Sequence, residues 1–181
     1  VASHQGKRHT MPGQLAVWER GNGHEVISTA WDRDVHGPLA WSEDGQSVLL
    51  AAEEQGRRPL WRFDLETRQA QRLTQGGWVQ AWDRSGGALV VTADAADHPP
   101  RVLALDDGGA PRRLEQFNDA LMSRLAIGRH EETWITGAGG EPVQVWLFYP
   151  PGFDAQKKYP LLQVIHGGPH TAYGVGFFHE F

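Results

Sequence analysis

One segment of the chain recurs 41 residues later, and this repeat constrains the fold more than any other feature of the sequence. The segment AWSEDGQSVLL (40–50) aligns with AWDRSGGALVV (81–91). Four features share the spacing: Trp41 with Trp82, Gly45 with Gly86, Pro59 with Pro100, and Arg72-Leu73 with Arg113-Leu114. A repeat of roughly 20 to 50 residues is typical of solenoids, propellers and other arrays of supersecondary units.

Each copy of the repeat predicts four short strands. The first begins at the tryptophan, turns at Asp44-Gly45 in the first copy, and returns as the second strand. Leu60–Leu65 and Val102–Leu105 are the predicted third strands, and a fourth is expected around each Arg-Leu pair. Four strands in about forty residues is the size of one β-propeller blade. We therefore interpret Trp41 and Trp82 as packing residues between blades rather than as ligand-stacking residues.

An incomplete copy precedes these two. QGKR (5–8) matches QGRR (55–58), and LAVWE (15–19) matches LWRFD (60–64), with an insertion around residues 9–14. The chain is therefore expected to begin partway through a blade. Because a repeat unit buries its faces only against neighbours, we expect it to be cut from a longer propeller. Residues 1–117 are predicted to form a partial, all-β propeller of about two full blades and a broken one.

The pattern changes after residue 117. Asn118 is a candidate cap for a short helical turn, with Gly128 as its predicted stop. Glu132–Thr136 and the alternating run Val143–Tyr149 are predicted strands. The glycine-rich stretch between them is a predicted hairpin turn. No helix follows it, which argues against a phosphate-binding loop.

The next apolar run carries the signal that points to chemistry. Leu161–Ile165 lies between Pro160 and a Gly-Gly-Pro turn, which predicts a short strand buried on both faces, as in a parallel sheet. Open α/β sheets bind ligands in loops at the carboxyl ends of such strands. In His166-Gly167-Gly168, the two glycines let a backbone N–H approach a ligand with no Cβ in the way. Acyl-transfer enzymes need an N–H aimed at the oxygen of the attacked carbonyl. The alternative is a plain strand-ending turn.

Three short motifs in this part of the chain resemble, in their order, the start of the hydrolase domain in the prolyl oligopeptidase family of serine peptidases. They are YPPGF (149–153), KYPLL (158–162) and HGGPH (166–170). The acylaminoacyl-peptidase and dipeptidyl-peptidase-like branch is the most similar, and the WSEDGQSVLL phrase resembles its blade repeat and that of TolB-like propellers. The resemblance implies a propeller followed by an α/β-hydrolase domain, with residues 118–181 as the junction and the first part of the second domain. It implies that the Gly168 N–H is an oxyanion donor, that Gly167 keeps the approach open, and that His166 shapes the loop.

The family's nucleophile is missing from this sequence. Hydrolases of this type carry a Ser in a Gly-x-Ser-x-Gly elbow, followed by Asp and His. No such pentapeptide occurs in the 181 residues. We therefore expect the chain to be an inactive internal piece of a longer enzyme that cleaves short peptides. Two alternatives stay open: a propeller-type binding module with an inactive hydrolase-like tail, and an esterase with a related loop, against which the blade repeats argue.

Composition narrows the function classes further. The absence of cysteine excludes disulfides and thiolate chemistry, and His170 and His179 lack metal-ligand spacing with a carboxylate partner. The net charge of -5 is opposite in sign to the positive surface that nucleic-acid-binding proteins use. No apolar run in the sequence is long enough to span a membrane. We expect no cofactor, a cytoplasmic location and an oligopeptide substrate. Relatives in the resembled family also make a homo-oligomer an expectation.

Overall fold

The structure is a computed structural model that describes residues 12–85, 87–106, 111–168 and 171–178. Within these residues the strands pair into four antiparallel sheets. The strands are β1 (Ala16–Glu19), β2 (Gly23–Val26), β3 (Ala40–Trp41), β4 (Ser47–Ala51), β5 (Leu60–Asp64), β6 (Ala70–Arg72), β7 (Trp78–Ser85), β8 (Ala88–Ala95), β9 (His98–Leu105), β10 (Arg112–Arg113), β11 (His130–Thr136) and β12 (Pro142–Phe148). One short helix, α1 (Asp119–Met122), lies between β10 and β11, and a single 3-10 turn (Ala138–Gly140) connects β11 to β12.

The two copies of the repeat are two four-stranded sheets. Their strands are ordered β3-β4-β5-β6 and β7-β8-β9-β10, each strand hydrogen-bonded to the next along the chain. All four strands predicted for each copy are present, so the blade-sized units are confirmed. The incomplete copy forms the two-stranded sheet β1-β2, in which Val17 pairs with Glu25. β1 occupies the position that the alignment gives to the third strand of a copy, and β2 pairs with it as β6 pairs with β5.

The turn between β3 and β4 shows how the sequence specifies a blade hairpin. Asp44 Oδ1 accepts hydrogen bonds from the Ser42 hydroxyl (2.6 Å) and the Gln46 N–H (2.9 Å). These bonds, the first being the stronger cause, hold the pKa of Asp44 below its usual value. Gly45 follows with a φ of +68°, a conformation that favours glycine. The Ser-x-Asp-Gly pattern therefore closes the turn from its own side chains.

The core consists of two apolar clusters, one on each face of the sheet β3-β6. Because side chains alternate along a strand, β4 sends Val48 and Leu50 to one cluster and Ala51 to the other. The first cluster lies against the sheet β1-β2 and contains the buried residues Leu15, Ile27, Val35, Val48, Leu50, Ala52, Trp61 and Phe63. The second lies against the sheet β7-β10 and contains Ala51, Leu60, Val79 and Val91. The sheet β3-β6 is thus packed on both faces against neighbouring sheets, as a blade is.

The two repeated tryptophans differ in burial. Trp82 packs against the second cluster, as predicted. Trp41 is 56 % exposed, so the prediction of a packing role is wrong for this residue. Trp41 pairs with Val48 and shares its face, and the neighbouring sheet on this side has only the two strands β1 and β2 among the described residues. An incomplete neighbouring sheet leaves the edge of this face open to solvent.

The helical turn and the two strands predicted after residue 117 are present, with differences of detail. The helical turn is present with Asn118 at its N-cap position, but the Asn118 side chain makes no capping hydrogen bond. The predicted stop at Gly128 is wrong, because α1 ends at Met122. A Cβ at Gly128 would overlap the carbonyl oxygen of Tyr149, so glycine is needed there for a close approach of two backbones. The predicted hairpin is confirmed, with His130 paired to Phe148.

The strand predicted at Leu161–Ile165 is not formed, and the prediction that it is buried is wrong. Residues 160–167 have no regular secondary structure, and Leu161 and Leu162 are 86 % and 87 % exposed. A central parallel strand exists only between two hydrogen-bonded neighbours. In the described part of the chain, β11 and β12 pair only with each other and leave no strand beside this run.

Candidate functional site

The predicted oxyanion loop is an exposed turn of backbone after the apolar run. Gly168 has a φ of +139°, a region that residues with a Cβ rarely adopt. A Cβ added at Gly167 would meet no atom within 4 Å, so the space beside it is open. His166, Gly167 and Gly168 are all exposed. The conformation of Gly168 explains why glycine is needed there, and its role as a donor stays a prediction.

Two side chains bind the carbonyl group of Gly167. The Thr171 hydroxyl donates a hydrogen bond to the Gly167 carbonyl oxygen. His166 Nδ1 lies 2.8 Å from the same oxygen and 3.2 Å from Thr171 Oγ1. The ring of Tyr173 meets the His166 ring edge-on, with centroids 6.2 Å apart. His166 therefore folds over its own loop, a contact that suits the loop-shaping role predicted for it.

The blades approach this region through one tight turn at residues 54–57. Glu54 and Arg57 exchange two backbone hydrogen bonds of 2.9 and 3.0 Å. Gln55 and Gly56 between them have φ values of +48° and +66°. Two central residues with positive φ are typical of a type I′ hairpin turn, for which glycine at the second position is favoured.

The Gly56 turn touches the segment that follows the oxyanion loop. The Val175 N–H donates a hydrogen bond of 2.8 Å to the Gly56 carbonyl oxygen, and Val175 is buried. A Cβ at Gly174 would overlap that oxygen and lie 2.6 Å from the Gly56 carbonyl carbon. A Cβ at Gly56 would lie 2.8 Å from Nε1 of Trp146 on β12. The two backbones and the indole meet only because both positions are glycine.

A polar network fastens the same turn to the hairpin β11-β12. Arg57 forms an ion pair of 2.7 Å with Glu132, and its guanidinium lies 5.1 Å from the centroid of the Trp146 ring. The Gln144 amide donates to the Gln55 carbonyl oxygen (3.0 Å) and to Glu132 Oε1 (2.8 Å). The pKa of Glu132 lies below its usual range, mainly because Arg57 donates a hydrogen bond to its carboxylate. The hydrogen bond from Gln144 lowers this pKa by a smaller amount.

The Arg57–Glu132 pair predicts a pH-dependent part of the stability. The pKa of Glu132 is lowered in the folded chain, so its carboxylate contributes to the free energy of unfolding above the ordinary Glu pKa of about 4.3. This contribution is lost as the pH falls through the pKa that Glu132 has in the folded chain. We expect Glu132→Gln to lower the free energy of unfolding at pH 7 by at most about 1 kcal/mol, with the difference vanishing in acid. Urea unfolding at pH 7 and pH 3 measures this.

The exposed residue Glu66 provides the matched control for that measurement. Glu66→Gln makes the same chemical change without touching the turn, so its pH profile should follow the unmodified chain. An equal loss of stability for Glu132→Gln at both pH values would contradict the electrostatic explanation.

A cavity of about 400 Å³ lies between the blades and the start of the segment 171–178. Its lining includes Asp34, His36, Glu53, Arg58, Trp78 and Thr171. Farther along, Gly176 lies beside Trp78 and the buried Asp94, whose Oδ2 accepts a hydrogen bond of 2.8 Å from Gln80. The segment 171–178 therefore runs from the oxyanion loop across the ends of both blades.

No metal centre is found in the part of the chain that the structure describes, where no three His, Cys, Asp or Glu groups are arranged to hold an ion. His170 and His179 lie outside the described residues. In the same ranges, no helix has the length and apolar character needed to cross a membrane.

The contact between the blades and the segment 171–178 was not predicted from the sequence. No recognisable sequence motif surrounds the glycines that make this contact, which are Gly56, Gly174 and Gly176. A usable signal existed in the Gln-Gly pair, which occurs in the broken copy and again at Gln55-Gly56. The glycine at position 56 favours a turn there, although it does not indicate what the turn touches.

No family model matches the chain. Among curated proteins, it is 29 % identical over 127 residues to dipeptidyl-peptidase 5 of Porphyromonas endodontalis, covering 69 % of this chain and 18 % of that protein. It is 35 % identical over 154 residues to the probable dipeptidyl-peptidase 5 of Aspergillus niger, covering 81 % and 21 %. A peptidase of Bacillus subtilis that is named as uncharacterised is 25 % identical over 161 residues, covering 88 % and 24 %. The chain thus spans about a quarter of these proteins or less.

Solved structures share the fold. The acylaminoacyl peptidase of Pyrococcus horikoshii matches 97 % of this chain with 27 % of its own, at a TM-score of 0.80 and 19 % identity. The β-propeller domain of the trilobed protease from Pyrococcus furiosus matches 62 % of this chain with 34 % of its own, at a TM-score of 0.51 and 20 % identity. On these similarities of sequence and fold, the chain belongs with the peptidases of the prolyl oligopeptidase family.

Proposed function

We propose that this chain is the part of a serine peptidase in which the last propeller blades join the start of an α/β-hydrolase domain, with the boundary near residue 117. The observation that supports this proposal most is the fold match to an acylaminoacyl peptidase, which covers 97 % of the chain and is therefore not confined to the blade-forming residues 1–117. A propeller alone would account for the sheets but not for the segment after residue 118.

In this proposal the chain contributes one element of the catalytic centre. The N–H of Gly168 donates to the oxygen of the attacked peptide carbonyl as that oxygen becomes negative. Gly167 leaves room for the carbonyl to approach, and His166 holds the shape of the loop. Ser, His and Asp lie elsewhere in the full protein: Ser attacks the carbonyl carbon to form an acyl-enzyme, and His accepts its proton and then gives it to the leaving amine.

The proposed substrate is a short peptide with a free or acylated N-terminus. This range of substrates is proposed because the relatives are named dipeptidyl and acylaminoacyl peptidases. The blades would shield the active site so that only oligopeptides reach it. The same proposal includes a cytoplasmic location, which the lack of cysteine supports. It also includes self-association and independence from any cofactor, which the resemblance to the family supports.

Turnover by the full-length gene product tests this proposal. It should be assayed with a chromogenic dipeptide that has a free amine, with an N-acetylated amino acid carrying the same leaving group, and with casein. We expect hydrolysis of one of the two small substrates and none of folded or long chains. Absence of turnover for all three would favour a binding module with an inactive hydrolase-like tail.

A further inference from the structure

We propose that the blades position the oxyanion loop through the Gly56 turn, so that they act on the catalytic step itself as well as on access to it. This inference rests on the proposed function, because that function gives the loop its role. It assigns Gly56, Gly174 and Thr171 as positioning residues.

The first link is the peptide group between Gly167 and Gly168. This group is planar, and in its trans form the carbonyl and the N–H point in opposite directions. A hydrogen bond that fixes the Gly167 carbonyl therefore also fixes the direction of the Gly168 N–H, the proposed donor. The Thr171 hydroxyl donates to that carbonyl, and His166 Nδ1 lies 2.8 Å from it.

The second link joins the segment that contains Thr171 to the blades. Three residues further along, the Gly174 backbone rests on the Gly56 carbonyl, and the buried Val175 donates its N–H to the same oxygen. The Gly56 turn is in turn fixed to the hairpin β11-β12 by the Arg57–Glu132 ion pair. The blade contact at Gly174 and Val175 is thus joined to the proposed oxyanion donor through the short chain segment back to Thr171 and the hydrogen bond of Thr171 to Gly167.

Removal of the Thr171 hydroxyl tests the first link. Thr171→Val keeps the size and branching of the side chain but deletes the donor to Gly167, and Thr171 is exposed, so folding should be unaffected. In the full-length gene product we expect kcat to fall by between about 10-fold and about 100-fold with KM nearly unchanged, as small displacements of catalytic groups do. Thr171→Ser restores the hydroxyl and should restore kcat. Equal kcat in the unmodified protein and Thr171→Val would overturn the inference.

A pair of alanine substitutions tests the second link. Gly174→Ala places a Cβ 2.6 Å from the Gly56 carbonyl carbon, whereas Gly176→Ala places one at an ordinary 3.7 Å from its nearest neighbour. The two changes are chemically identical and two residues apart. We expect Gly174→Ala both to speed hydrogen exchange of the Val175 amide and to lower kcat in the full-length protein. Gly176→Ala should do neither.

Failure of the inference differs from failure of the proposed function. If the unmodified full-length protein is not labelled by a fluorophosphonate, the peptidase proposal fails and the inference falls with it. If the unmodified protein is labelled, and Gly174→Ala frees the Val175 amide while kcat stays at the unmodified value, the contact is structural only. That second result would overturn the inference and leave the peptidase proposal intact.

Discussion

Phe63→Ala is expected to lower the free energy of unfolding of this chain by about 3–5 kcal/mol. Phe63 is fully buried in the first cluster, between the incomplete blade and the sheet β3-β6. Its ring lies 5.7 Å from that of Trp31, which also contacts Trp61 edge-on at 5.4 Å. Removing the ring leaves a cavity that neighbouring strands fill poorly, because their backbones are held in hydrogen-bonded sheets. Urea unfolding followed by tryptophan fluorescence measures the change.

Phe117 gives the matched control, since its side chain is 85 % exposed. Phe117→Ala makes the same change outside the core and should alter the free energy of unfolding by less than about 0.5 kcal/mol. Similar, small effects for both variants would show that the first cluster does not hold the two sheets together.

Gly168→Pro is expected to reduce kcat of the full-length gene product by about 100- to 1,000-fold, with little change in KM. Proline has no N–H, so the proposed oxyanion loses one donor at the moment when negative charge develops. Proline also cannot adopt the φ of +139° that Gly168 has. Steady-state kinetics with the better small substrate from the function assay would give kcat and KM separately.

The conformational part of that effect is separated by Gly168→Ala. Alanine is similarly unsuited to this φ but retains the N–H. We expect its kcat to lie between those of the unmodified protein and Gly168→Pro. Identical losses for the two variants would contradict a donor role and would indicate that only the backbone conformation matters.

The repeated strands were predictable because their determinants are local. Alternating apolar residues specify the strands, and Ser42, Asp44 and Gly45 close a hairpin with their own atoms. The fixed spacing between copies then gave the number of strands per sheet. None of these steps requires knowledge of what packs against the sheet.

The predictions that failed depend on distant partners. The run Leu161–Ile165 has the composition of a buried strand, but burial needs neighbouring strands that the described part of the chain does not supply. Trp41 occupies the same repeat position as Trp82, but the sheet beside Trp41 has two strands where the sheet beside Trp82 has four among the described residues. A repeat predicts what a unit is, whereas its surroundings decide which faces are covered.

The candidate site shows the same division. The His-Gly-Gly sequence pointed to the loop, and the conformation of Gly168 explains its glycine. The contact of Gly174 with Gly56 joins residues far apart in the sequence, and glycine has no side chain from which a pattern would arise. Close backbone approaches of this kind become visible only when both chain segments are placed in space.

Covalent labelling of the full-length gene product with a fluorophosphonate, followed by intact mass measurement, tests the central claim most directly. A serine peptidase built on these blades and this loop should gain the mass of one probe molecule, and the 181-residue chain alone should gain none, since it has no Gly-x-Ser-x-Gly elbow. A full-length protein that folds and stays unlabelled would contradict the assignment of a serine peptidase.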